Sequence, residues 1–171
     1  MNQPLLIRTR LQAEDMQRFS IHTLRQNPTM KIMGVVFGAL LLIVIGQWLF
    51  SETGMEDIPF QVVIPLVVFV ALFFVFLPMM AKRNFKNNPS LHGEILYTFT
   101  DEQVELTGPN FESRMDWDKY LKVVETKEMF LLYQSKVMAN LIPKRDLSDS
   151  EIESLRMLLR GVPKLQHTLL A

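Results

Sequence analysis

Two uncharged apolar runs joined by a short acidic turn restrict this chain more than any other feature. Ile32 to Ser51 is twenty residues without a charge, and Ile58 to Ala81 is twenty-four. At 1.5 Å rise per residue they reach about 30 and 36 Å as helices, against a hydrocarbon core of about 30 Å. Twelve Leu, Ile, Val or Phe in the first run and sixteen in the second favour insertion by about 5 and 7 kcal/mol, with no ionised side chain opposing it. These lengths predict a transmembrane hairpin over 32–81, with spans 32–51 and 58–81 and an extracytoplasmic turn at 52–57. Buried core helices of a soluble fold are seldom so long.

Charge sets the orientation. The 171 residues hold 18 Lys+Arg and 18 Asp+Glu, but the balance is uneven along the chain. Arg18, Arg25 and Lys31 precede the first run, Lys82, Arg83 and Lys86 follow the second, and the turn between them carries Glu52, Glu56 and Asp57. The positive-inside rule places both termini in the cytoplasm. A cleaved signal peptide is not expected, because about thirty patterned residues precede the first run and a second run follows it directly. Gly34 and Gly38 form a GxxxG in the first span, where two side-chain-free positions let another helix approach closely. Both self-association and packing against the hairpin partner fit that motif. The runs contain no ionisable residue, so a proton relay or transport by one copy is not expected.

The remainder reads as a small polar-surfaced domain. Leu5, Ile7, Thr9 and Leu11 alternate with Leu6, Arg8 and Arg10, a strand with one buried face. Ala13 to Gln26 changes to helical spacing, with Glu14 and Asp15 in the first turn and Asn27-Pro28 as the stop. These elements make up an N-terminal segment, 1–31. After a basic linker, 82–93, short β-type runs cover 94–100, 103–107, 111–117, 121–126, 129–135 and 137–143, separated by turn residues. That spacing predicts an antiparallel meander. Ser148 and Glu151 have capping-box spacing, Ile152, Leu155, Leu158 and Leu159 make an apolar stripe, and Gly161 with Pro163 marks the stop of a closing helix. The fold class is therefore α+β: a two-helix membrane hairpin plus a small antiparallel β domain, 94–171, closed by a C-terminal helix. That domain is marginal in core size alone. Pairing of residues 3–11 with its sheet would enlarge it and make the hairpin an insertion.

Several motifs together resemble one family. LQAEDMQRF at 11–19, the basic-flanked hairpin, Tyr97-Thr98-Phe99-Thr100-Asp101-Glu102, Met115-Asp116-Trp117 leading into Tyr120 to Thr126, Phe130 to Tyr133, and Leu141-Ile142-Pro143-Lys144-Arg145 occur in the order of the YcxB-like family of bacterial membrane proteins. Met16 and Leu147 stand where that pattern usually has aromatic residues, and both keep the apolar character. The resemblance implies an inner-membrane protein whose cytoplasmic domain is similar to bacterial pleckstrin-homology (PH) folds. It implies no biochemical activity.

Function is expected to be non-enzymatic. There are no cysteines, which removes thiolate chemistry and cysteine metal sites. His22, His92 and His167 are scattered, and no P-loop, GxSxG or GxGxxG occurs, so no catalytic residue, metal or cofactor is expected. Residues 94–171 carry ten basic and thirteen acidic residues, which gives no footprint for nucleic acid. The expected partners are the bilayer and a membrane or cytoplasmic protein that meets the β domain as an interaction or regulatory module, with homo-oligomerisation as a further option. The alternative is recognition of an anionic lipid headgroup. Lys82, Arg83 and Lys86 beside the membrane, and Lys144 and Arg145 at a turn after Pro143, are the candidate lipid or partner contacts.

Overall fold

The computed structural model describes residues 4–50, 60–88 and 92–170. The acidic turn 52–57 and the ends of the two apolar runs that flank it lie outside those residues. The chain divides into two units, 1–16 with 83–171, and 17–82.

The first unit is α+β. Strand β1 (Leu5–Arg10) pairs antiparallel with β2 (Glu94–Phe99), from Leu5 opposite Phe99 to Arg10 opposite Glu94. The pairing expected of the N-terminal strand is therefore present, and residues 17–82 interrupt a sheet whose neighbouring strands flank them in sequence. The alternation holds as read: Ile7 and Thr9 are buried and Arg8 and Arg10 exposed. β3 (Gln103–Thr107) and β4 (Glu112–Asp116) complete a sheet in the order β1-β2-β3-β4.

A second sheet follows. Its strands are β5 (Lys122–Glu125), β6 (Met129–Tyr133), β7 (Ala139–Pro143) and a two-residue β8 (His167–Thr168), in the order β7-β6-β5-β8. The meander thus breaks into two sheets at a 3₁₀ turn, Trp117–Lys119. Trp117 is buried there and its Nε1 donates to Thr100 O at 2.9 Å, which turns the chain away from β4. Every residue of β6 is buried, as expected of a strand covered on both faces. The hydroxyl of fully buried Tyr97, on β2, donates to Leu141 O on β7 at 3.1 Å and joins the two sheets. Tyr97, Phe99, Trp117 and Tyr120 follow one another at centroid distances of 5.9, 6.2 and 5.7 Å, so these aromatics are core.

Helix α5 (Asp149–Gly161) closes the unit. Ser148 caps it with the reciprocal capping box that the Ser-x-x-Glu spacing predicts, and Leu155, Leu158 and Leu159 are buried. Val137 and Met138 leave the strand predicted over 137–143. Their amides donate to Ser135 Oγ, a hydroxyl-capped turn that leaves both side chains exposed.

The second unit is helical. α1 (Ala13–Gln26) begins in the first unit, and α2 (Pro28–Leu49) starts with Pro28 at its first position. Asn27 Oδ1 accepts Thr29 N at 3.0 Å as its cap. The second run, read as one span, is α3 (Phe60–Ala71), a π-helical turn (Leu72–Phe76) and α4 (Leu77–Lys86). Pro78 has no N–H for the carbonyl one turn back, and the helix widens just before it. The helix also runs on to Lys86, through part of the basic stretch assigned to a linker. α2 and α3 meet at Phe37 and Phe69, 4.6 Å apart. Among the described residues no single helix is long and apolar enough to cross a membrane, and α1 with Lys31–Gln47 reaches that measure only as a pair bent by 73°.

Candidate binding site

The turn after β7 organises the first unit. Pro143 ends the strand, and Lys144–Asp146 form a 3₁₀ turn. Arg145 grips Asp15 with both arms of its fork, Nη1 to Oδ1 at 2.6 Å and Nη2 to Oδ2 at 2.8 Å, and Nη2 also donates to Arg10 O at 2.7 Å. Asp15 is buried, and its Oδ2 also accepts Gln12 N at 2.7 Å. Asp146 Oδ2 accepts Arg10 N at 2.8 Å. The turn therefore latches the junction of β1 and α1 to the second sheet. The fork geometry is what arginine provides and lysine does not. The hydrogen bonds to Asp15 hold the Arg145 guanidinium pKa above its ordinary value.

Lys144 meets a different carboxylate. Its Nζ lies 2.6 Å from Glu125 Oε1 and 5.1 Å from the Phe130 ring centroid. Glu125 has no exposed side-chain surface, and it also accepts Arg156 Nη2 at 2.6 Å and Leu170 N at 2.8 Å. Arg156 bonds Glu153 as well. Burial raises the Glu125 pKa, but the hydrogen bonds from Arg156, Lys144 and the Leu170 amide outweigh it and hold the group below the ordinary carboxylate range. Lys144 and Arg145, singled out as contacts for an outside anion, thus serve internal acids. Asp15 and Glu125 carried no sequence signal for this role, because Asp15 lies 130 residues from Arg145.

The open surface lies beside the latch. A depression of 690 Å³ is lined by Arg8, Thr9, Arg10, Gly93, Glu94 and Asp146. A second, of 500 Å³, shares Arg10 and Gly93 and adds Glu14, Lys86 and His92. Gly93 has φ +131°, and a Cβ there would stand 2.5 Å from Pro109 Cγ, so only glycine fits. The His92 ring lies tilted against buried Phe85 with centroids 5.0 Å apart, and its Nε2 lies 3.0 Å from Phe85 O. The rim carries both signs: Arg8, Arg10 and Lys86 against Glu14, Glu94 and Asp146. Such a rim suits a polar peptide with charges of both signs better than a polyanion. Of the five candidate cations only Lys86 lines this groove. Arg83 is exposed on α4, and Lys82 belongs to the other unit. The sequence places Arg8 and Arg10 only on the outer face of a strand.

In the helical unit, a Cβ on Gly34 or Gly38 would have no described atom within 4 Å. Among the described residues no group of three or more His, Asp or Glu is placed to hold a metal.

Residues 99–159 match the family model described as YcxB-like protein, the family that the sequence motifs resemble. That segment runs from the end of β2 into α5. No curated protein and no solved structure matches the chain.

Proposed function

We propose, from a chain that is YcxB-like over residues 99–159, a non-enzymatic inner-membrane protein that presents a PH-like cytoplasmic β domain as an interaction or regulatory module. The observation that carries the reading is the exposed apolar surface of the helical unit. Val35, Leu42, Ile43, Ile64, Val67 and Val75 are each more than half exposed, more apolar surface than water tolerates on a monomer. A bilayer is the covering medium that matches the two uncharged runs and their basic flanks. With β1 before the hairpin and β2 after it, the domain would be tethered at two points, which raises its effective concentration for other membrane proteins. The mixed-charge groove beside the latch supports a protein partner. Headgroup recognition, the competing reading, loses Lys144 and Arg145 to Glu125 and Asp15.

The test of topology uses the absence of native cysteine. Gly54→Cys in the acidic turn should react with a membrane-impermeant maleimide on intact cells, and Ser135→Cys in the β domain only after permeabilisation. Labelling of both from outside, or of neither membrane fraction, would reject the arrangement. Native mass spectrometry of the protein in mild detergent then tests the module: a stoichiometric second polypeptide supports it. A retained anionic lipid, lost when Lys82, Arg83 and Lys86 are replaced by Ala, would favour the headgroup reading instead.

A further inference from the structure

The turn between β6 and β7 displays apolar side chains where a turn ordinarily displays polar ones. Val137 is 65% exposed and Met138 60%. Leu121, just before β5, is 49% exposed and lies at the same end of the sheet, its amide donating to Tyr133 O at 2.7 Å. Three apolar side chains gathered at one end of a sheet differ from the scattered singles usual on a surface. The turn is held in one shape by its own hydrogen bonds. Gln134 N and Ser135 N donate to Met138 O at 2.9 and 3.2 Å, and Ser135 Oγ accepts Val137 N and Met138 N at 3.3 and 3.1 Å. A knob whose backbone is already satisfied gives up little freedom on being bound.

This end of the domain is also basic, although residues 94–171 carry more acids than bases, thirteen against ten. Lys136 lies in the turn, exposed and with no acid partner among the described residues. Lys119 and Lys122 flank Leu121; the first is 3.3 Å from Asp118 Oδ2, and the Nζ of the second lies 5.0 Å from the Tyr133 ring centroid. β7 runs from this turn to Pro143 and the latch on Arg10 and Asp15, close to where the chain leaves the first unit. A strand of five residues puts about 17 Å between its two ends. The turn therefore stands at the end of β7 away from the attachment of the apolar runs, which favours a protein over the bilayer as its cover.

We propose that the β6–β7 turn is a knob that enters an apolar cleft with an acidic rim on a partner protein, with Val137 and Met138 in the cleft and Lys136 on the rim. A convex turn needs a concave partner, and an apolar centre inside a charged rim of opposite sign is the ordinary anatomy of such a contact. A second copy does not offer that cleft, because the two depressions beside the latch carry Arg8, Arg10 and Lys86, which repel Lys136. This inference rests on the interaction-module reading and gives it a contact surface apart from the groove.

The test places one thiol on the knob of a chain that has no cysteine of its own. Val137→Cys keeps the apolar character. In native membranes opened on the cytoplasmic side its thiol should react with a maleimide at least tenfold more slowly than in the full chain purified in detergent, each rate taken relative to Ser113→Cys on exposed β4. Reconstituting the purified chain into vesicles of phosphatidylethanolamine and phosphatidylglycerol should leave the reaction fast, and so should concentrating it. Adding Lys136→Glu should raise the rate in native membranes to the purified value, because a like charge then meets the acidic rim. Equal rates in membranes and detergent overturn the proposal, as does a slow reaction that Lys136→Glu leaves unchanged. Slowing on reconstitution makes the occupant the bilayer and slowing on concentration makes it a second copy; either overturns the partner assignment. Equal rates beside a stoichiometric co-isolated polypeptide reject this surface and spare the module reading, whereas equal rates with no such polypeptide reject both.

Discussion

Single side chains in the β domain divide into those that join distant segments and those that only fill space. Glu125 belongs to the first kind, with two cations and a backbone amide on one buried carboxylate. Glu125→Ala takes from Lys144 its carboxylate and leaves Arg156 only Glu153, and should cost about 3 kcal/mol in urea unfolding. Because its folded pKa is depressed, the Glu125 contribution is fully present above the unfolded carboxylate value of about 4.3 and is lost as pH falls through the lower folded value. The difference in urea midpoint between the wild type and Glu125→Gln should therefore be constant near neutrality and shrink below about pH 4. Thr9 is the opposite case. It is buried, and its Oγ1 has no hydrogen-bond partner, so Thr9→Val should leave stability unchanged or raise it by about 1 kcal/mol, read as a higher Tm. A fall in Tm of several degrees would mean that the hydroxyl is satisfied.

At the scale of elements, the latch on the N-terminal strand matters most. β1 is held by its ladder to β2 and by Arg145 and Asp146 at the start of α1. Deleting residues 1–11 strips the edge of β2 and leaves Arg145 without the Arg10 carbonyl, so the domain should lose its protease resistance; an unchanged digestion pattern would show that β1 is dispensable. Arg145→Lys keeps the charge but not the fork, and should cost about 1 kcal/mol, with faster hydrogen exchange confined to β1. Gly34 and Gly38 raise a separate question. Since no described atom would meet a Cβ on either, Gly38→Leu should leave the packing of α2 against α3 intact. If those glycines form a self-association face, the same change lowers the oligomer size in detergent; an unchanged size removes that role.

For the whole molecule, the strands, the capped helix and the apolar runs were legible because each depends on neighbours a few residues away. Alternation places Ile7 and Thr9 inward and Arg8 and Arg10 outward, and the spacing of Ser148 and Glu151 marks the start of α5. The motifs that resemble the YcxB-like family are equally local, and residues 99–159 match that family's model. Tertiary structure alone decided the rest. It split the meander into two sheets at Trp117, because a buried indole bonded to Thr100 reverses the chain there. It also turned Lys144 and Arg145 inward, since their carboxylates come from strand and helix positions that only the register of β1 and β5 brings near. The two-residue β8 has too little periodicity to be read, and its place beside β5 follows from where α5 happens to end. Periodicity reports which face of an element is buried; it holds no information about which distant charge that face will meet.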